Sequence, residues 1–103
     1  MQSLVKDFND KNGRSSSPLE CEERLMDIQS EVGELAKEYL KATNYGQNKF
    51  VLTEDFEFEL GDVLYSVLSL AEEQNVDAKN SLLKVLNKYQ ERIDKKKNMG
   101  SGK

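Results

Sequence analysis

Two short stretches carry the same arrangement of chemically active side chains. Glu31-Val32-Gly33-Glu34-Leu35 and Glu59-Leu60-Gly61-Asp62-Val63, 28 residues apart, both run acid, apolar, Gly, acid, apolar. At about 100° per residue, positions three apart fall on nearly the same side of a helix, so each copy sets two carboxylates on one face beside an apolar stripe. An interior helical glycine costs about 1 kcal/mol relative to alanine. The pattern accepts that cost twice next to an acid, which implies close approach of a backbone or a ligand. A single E-x-x-E is ordinary, because Glu is a good helix former and charge stripes are usually solvated. Two copies on antiparallel helices bring four carboxylates together at the edge of a core, where bound cations relieve their repulsion. All-oxygen ligation by hard carboxylates selects Mg2+ or Mn2+ over zinc or copper. A ferritin-like di-iron centre needs Glu-x-x-His, and the chain has no histidine. Glu38, one turn beyond Glu34, is a candidate fifth ligand.

Positioning these acids requires helices, and the periodicity is helical almost throughout. Leu4, Val5 and Phe8 predict a short first helix ending near Asn12-Gly13, followed by a polar loop over Arg14 to Ser17. Ser17-Pro18-Leu19-Glu20 has the form of a capping box with proline in the first helical position. From there Leu25, Ile28, Val32, Leu35 and Tyr39 form one apolar stripe down to about Thr43, and Asn44 to Asn48 ends it. A third helix is expected from Thr53, with Glu54 and Asp55 at the positive end of its dipole and Leu60, Val63, Leu64, Val67, Leu68 and Ala71 inward. Asn75-Val76-Asp77 breaks the pattern. A fourth helix follows with Ala78, Leu82, Val85, Leu86, Tyr89 and Ile93 inward. The expected organisation is one all-α, four-helix domain over residues 1–95 and a flexible basic tail over 96–103.

Composition narrows the chemistry further. Of 103 residues, 33% are charged and 37% hydrophobic, and no apolar run approaches the roughly 20 residues needed to cross a bilayer. A soluble cytoplasmic protein without its own secretion signal is expected. The single Cys21 cannot form an internal disulfide and is expected to be an inert small residue. The absence of histidine excludes Ser-His-Asp and Cys-His catalysis and imidazole zinc sites. Acid-base chemistry falls to carboxylates, lysines, tyrosines or a metal-bound water. The net charge of −4 divides into −9 over residues 1–83 and +5 over residues 84–103. An acidic body repels nucleic-acid phosphates, so no nucleic-acid partner is expected. A phosphate-bearing metabolite fits, provided that cations shield the acids.

The E-x-x-E helix (Glu31, Glu34), a linker and an E-x-x-D helix in the form E-L-G-D-V-L-Y (Glu59 to Tyr65) resemble the all-α nucleoside triphosphate pyrophosphohydrolase superfamily, and within it the MazG-like proteins. The resemblance covers about residues 4–93 and takes in the short helix with Phe8, the loop with Ser17-Pro18, and Lys88 and Arg92 on the last helix. Members often have Lys-Glu or Glu-Glu before the second motif, where Glu57-Phe58 stands here. The resemblance implies hydrolysis of a nucleoside triphosphate between its α and β phosphates, giving the monophosphate and pyrophosphate. It implies that Glu31, Glu34, Glu59 and Asp62 hold Mg2+, that Glu31 or Glu34 also orients or deprotonates the attacking water, and that Lys88 and Arg92 hold the leaving phosphates. The alternatives are another member of the superfamily, acting on phosphoribosyl-ATP or dUTP, and a non-enzymatic helical interaction module with solvated acids.

Apolar residues exceed one stripe per helix. Met26, Ala36 and Leu40 on the second helix, and Phe58 and Tyr65 on the third, give each a second apolar flank. One flank can face the chain's own core and the other a second copy, and the resemblance likewise implies a homodimer or a dimer of dimers. Tyr39 and Tyr65 are expected in a core or interface, while Phe8, Phe50, Phe56 and Phe58 are the aromatic candidates for gripping a base.

Overall fold

The computed structural model describes residues 1–16 and 19–101, the side chains of 16 and 98–101 excepted. Its elements are α1 (Gln2–Lys11), one 3-10 turn (Arg14–Ser16), α2 (Cys21–Ala42), α3 (Glu54–Glu73) and α4 (Ala78–Ser101), with no strand among the described residues. The all-α, four-helix class expected from the periodicity is the class observed. No helix among the described residues is long and apolar enough to cross a membrane.

Local chemistry accounts for most of the helix ends. Asn12 terminates α1, donating from Nδ2 to the Phe8 carbonyl at 2.9 Å, and Gly13 follows at φ +71°, a conformation open to glycine. Thr53 caps α3, its Oγ1 accepting from the Phe56 N–H at 3.1 Å, with Glu54, Asp55 and Glu57 in the first turn. Thr43 closes α2 and is 1% exposed; its Oγ1 donates to the Tyr39 carbonyl and accepts from the Gly46 N–H.

Two boundaries differ from expectation. Ser17 and Pro18, the first half of the expected capping box, lie outside the described residues. Leu19 and Glu20 are not helical, and α2 begins at Cys21 with Glu20 as an N-cap that makes no side-chain cap hydrogen bond. Leu19 instead lines a cavity beside α2, and Glu22 and Glu23 supply the first-turn acids that suit the dipole. At the other end α4 continues to Ser101 rather than stopping near Lys95. Lysine is a good helix former, so a helix can propagate through Lys95, Lys96 and Lys97 without packing.

The organising unit is the antiparallel pair α2–α3. Each step down α2 is matched by a step up α3: Arg24 pairs with Glu73, Asp27 with Ser66, and Glu31 faces Asp62. Ser66 and Ser69, 4% and 0% exposed, lie on the buried side of α3. Their short side chains suit close approach of another helix. α1 packs on α3, and the two buried apolar residues among those described, Val5 and Leu68, belong to these two helices. Gln2 ties α1 to the α3–α4 corner. Its Nε2 donates to Glu72 Oε1 at 2.7 Å and to the Val76 carbonyl at 2.8 Å, and its Oε1 accepts from the Ala78 N–H at 2.7 Å.

The expected inward stripes are covered only in part: Leu68 is buried and Ile28, Leu35, Val63, Ala71, Ala78 and Val85 are half-buried, but the rest stand open. Leu25, Val32, Tyr39, Leu60, Leu64, Val67, Leu82, Leu86, Tyr89 and Ile93 retain from 39% (Leu64) to 57% (Leu82) exposure. The physical reason is that α4 makes only sparse contact with the other helices, so the apolar faces have no opposing wall within the chain. The dimensions agree. The radius of gyration is 18.3 Å against about 13 Å for a compact chain of this length, and the accessible surface is 8293 Å2 against about 5,900 Å2 for a compact monomer of this mass.

The two motif glycines were expected to admit a close neighbour, yet a Cβ at Gly33 or Gly61 would meet nothing within 4 Å. Alanine at either position should therefore stabilise an isolated chain by about 0.5–1 kcal/mol through helix propensity alone. Denaturant unfolding of Gly33→Ala and Gly61→Ala checks this. A loss of stability instead would mean that the space beside these glycines is filled in solution.

Candidate metal centre

The register of α2 against α3 brings three of the four motif acids together. One carboxylate oxygen each from Glu31, Glu59 and Asp62 lies within 4.8 Å of the others. Glu34, the fourth expected ligand, stands beside this group: it is half-exposed, with Oε1 3.7 Å from Lys37 Nζ one turn on. Glu38 is more buried and lies 3.4 Å from Lys41 Nζ. Both remain within electrostatic reach, since the charges of Glu34 and Glu38 act on Glu59 and that of Glu34 acts on Glu31.

The electrostatics are those of an uncompensated anionic cluster. The Glu31 carboxyl is pushed above its ordinary value of 4.5, first by desolvation and then by Asp62, Asp27 and Glu34. Glu59 is pushed the same way, by desolvation and then by Asp62, Glu31, Glu34 and Glu38. No ion pair among the described residues involves Glu31, Glu59 or Asp62. Converging carboxylates with no side-chain cation, offering oxygen alone, fit a hard divalent ion, so the donor chemistry suits Mg2+ or Mn2+.

Next to the acids is a cavity of about 490 Å3 lined by Glu31 and Asp62 on one side and by Asn9, Arg14, Leu19 and Tyr65 toward α1. Its floor is a polar network. Arg24 donates from Nε and Nη2 to the two carboxylate oxygens of Glu73 at 3.0 and 2.7 Å, and from Nη1 to Asp27 Oδ2 at 2.9 Å. Ser66 Oγ donates to the same Asp27 oxygen at 2.8 Å. The Arg24 and Glu73 side chains are each 11% exposed, and the Glu73 carboxylate, ahead of Asp27, holds the guanidinium firmly charged. No buried side-chain polar atom among the described residues lacks a partner.

Several of these residues escape sequence reasoning. Asp27 was available to it, because it extends the acidic face of α2 one turn before Glu31 as Glu38 extends it after Glu34. The Arg24–Glu73 pair spans 49 positions, and no local pattern signals it. Tyr65, expected in a core or interface, lines the cavity and donates from Oη to Asn9 Oδ1 at 2.6 Å. Phe50 and Phe56 form a ring cluster with Tyr39 at the α2–α3 connection, with centroids 5.3 and 5.1 Å apart. Phe58 is 66% exposed, and Phe8 stacks edge-on against Tyr65 at 6.1 Å, which leaves Phe8 as the phenylalanine adjoining the cavity. Lys88 and Arg92 on α4 are exposed and do not line it; Lys88 Nζ lies 5.9 Å from the centroid of its neighbour Tyr89.

Inside an all-α chain, an antiparallel helix pair thus gathers three carboxylates beside a polar cavity. Residues 20–96 match the family model of the MazG nucleotide pyrophosphohydrolase domain. The chain belongs to that family. No curated protein and no solved structure matches it.

The raised carboxyls make stability depend on pH in a definite direction. A group whose pKa is higher folded than unfolded binds more protons in the folded state, so its contribution declines as pH rises from the ordinary value through the raised one. Urea unfolding of the metal-free protein between about pH 4 and 7 should show that decline at the level of Glu31 and Glu59. The doubly substituted Glu31→Gln/Glu59→Gln chain should lose less stability over the same range. An identical slope in the two proteins would show that the cluster is not strained by its own charge.

Proposed function

We propose that this chain is a Mg2+-dependent nucleoside triphosphate pyrophosphohydrolase, cleaving an NTP or dNTP to the monophosphate and pyrophosphate. The observation that carries the reading is the convergence of Glu31, Glu59 and Asp62 in a chain of the MazG family. These three would hold the cation, with Glu34 joining from the rim. When bound, the cation offsets charge on the triphosphate and makes a water more acidic. Glu31 is the better placed of the two candidate bases, since it stands within the converging cluster whereas Glu34 leans toward Lys37. One water adds to the α phosphorus, a Glu31 carboxylate oxygen takes its proton, and the bond from that phosphorus to the bridging oxygen breaks in line, releasing pyrophosphate. The adjoining cavity accommodates the remainder of the nucleotide.

The test is a panel of the eight common NTPs and dNTPs with Mg2+, analysed for pyrophosphate against orthophosphate. Pyrophosphate from at least one is expected, and orthophosphate alone would overturn the reaction type. Glu59→Gln, Asp62→Asn and Glu34→Gln should each abolish or strongly reduce turnover without unfolding the chain, because removing one charge from a repulsive cluster leaves metal-free stability unchanged or raised. Near-wild-type activity in any of the three would remove that residue from the site.

The same reading includes self-association. The apolar faces of α3 and α4 lie open, and an apolar groove of about 470 Å3 runs between Leu64, Leu68, Ala78 and Leu82. A second copy laid on these faces would complete the bundle, and its Lys88 and Arg92 are the cations that could then approach the acids. Light scattering at micromolar concentration should give at least twice the 11.8 kDa of one chain, and Leu86→Lys should lower it. A single-chain mass for the wild type would overturn the assembly.

A further inference from the structure

We propose that Arg14, on the 3-10 turn between α1 and α2, is a phosphate-binding residue of the cavity, supplying the cationic contact to the nucleotide from the α1 side. The inference rests on the proposed hydrolase reading and deepens it. It starts from the charge inventory of the cavity wall, where Asp27, Glu31, Asp62 and Glu73 are faced by two cations, Arg24 and Arg14. Arg24 is already committed to Glu73 and Asp27 through three hydrogen bonds. Arg14 pairs with no carboxylate among the described residues. Its Nη1 donates to the neutral Tyr65 Oη at 3.4 Å, and its guanidinium lies 5.8 Å from the centroid of the Phe8 ring, within cation–π range.

These two contacts engage the guanidinium without neutralising it. Tyr65 is itself fixed by donating to Asn9, and Phe8 by its edge-on packing against Tyr65. A guanidinium has five N–H donors in a rigid fork that matches phosphate oxygens, and only one of Arg14's is used within the described residues. A charge-uncompensated arginine lining the same cavity as the metal-holding acids is suited to receive anionic oxygens that the cation leaves exposed. Arg14 lies before residues 20–96, the part matched by the family model, so family membership does not assign it this role.

The experiment uses the full chain and Arg14→Ala and Arg14→Lys. Binding of α,β-methylene nucleoside triphosphates with Mg2+ is measured by calorimetry, and Mn2+ binding without nucleotide by electron paramagnetic resonance. Loss of one charge-assisted contact should weaken triphosphate binding about tenfold or more in Arg14→Ala. Arg14→Lys should recover part of it. KM should rise with kcat within about threefold, and Mn2+ affinity and the circular dichroism spectrum should be unchanged. Triphosphate affinity within twofold of wild type would overturn the inference while leaving the hydrolase reading intact. If the wild type releases pyrophosphate from no nucleotide, the hydrolase reading fails first, and inorganic tripolyphosphate with Mg2+ becomes the probe. Equal binding of tripolyphosphate by wild type and Arg14→Ala, or none by either, would then overturn the phosphate site as well.

Discussion

Carboxylates held within 4.8 Å of one another repel, and what keeps them there is the antiparallel register of α2 against α3. That register is locked by the two-point ion pair of Arg24 with Glu73, at a level of the seam where both side chains are 11% exposed. Removing one partner of such a pair strands a desolvated charge, at a cost of about 3–5 kcal/mol when burial is complete. The pair therefore does more than join two helices. It opposes the splaying that the acids would otherwise drive, and it engages Asp27, which Arg24 and Ser66 hold by hydrogen bonds while its charge still acts on Glu31.

Side chains are arranged in levels along the same seam. The ion pair and Ser66 form one level, Glu31, Glu59 and Asp62 the next, and the Tyr39, Phe50 and Phe56 rings close the connected end. α1 contributes a side wall, because Gln2 fastens its start to the α3–α4 corner and Asn9 fastens its end to Tyr65. Residues 20–96 of this chain match the MazG nucleotide pyrophosphohydrolase domain. The matched residues cover α2 and α3 entirely, while α1 lies outside them.

Much of the fold was legible in the sequence for local reasons. Thr53 followed by acids, and Asn12-Gly13, are signals that a helix end needs only its own neighbours to obey. The duplicated acid-apolar-Gly-acid motif was legible because repetition converts an ordinary pattern into a spatial one once the helices run antiparallel. Two kinds of information were not legible. Periodicity states which residues share a face but not what covers it, so Leu60, Leu64, Leu82 and Leu86 were expected inside and stand half-exposed. Partners distant in sequence leave no local trace, so Arg24 with Glu73, and Tyr65 with Asn9, emerged only from the fold. Glu34 shows the limit within the motif itself, since helical spacing puts it on the acidic face but not at the same depth as Glu31.

The buried serines of α3 carry a thermodynamic consequence. A seam closed by Ser66 and an ion pair, with Ser69 buried and joined to Asn9 of α1 and the leucine stripes left half in water, removes little hydrocarbon from solvent when a single chain folds. The heat-capacity increment of unfolding scales with newly exposed apolar area and is offset by newly exposed polar area. For one chain it should lie well below the roughly 1.2–1.5 kcal/mol/K usual for 100 residues, and its stability curve should be correspondingly flat with temperature. Curvature of the size familiar from globular domains would then have to come from contacts beyond the single chain.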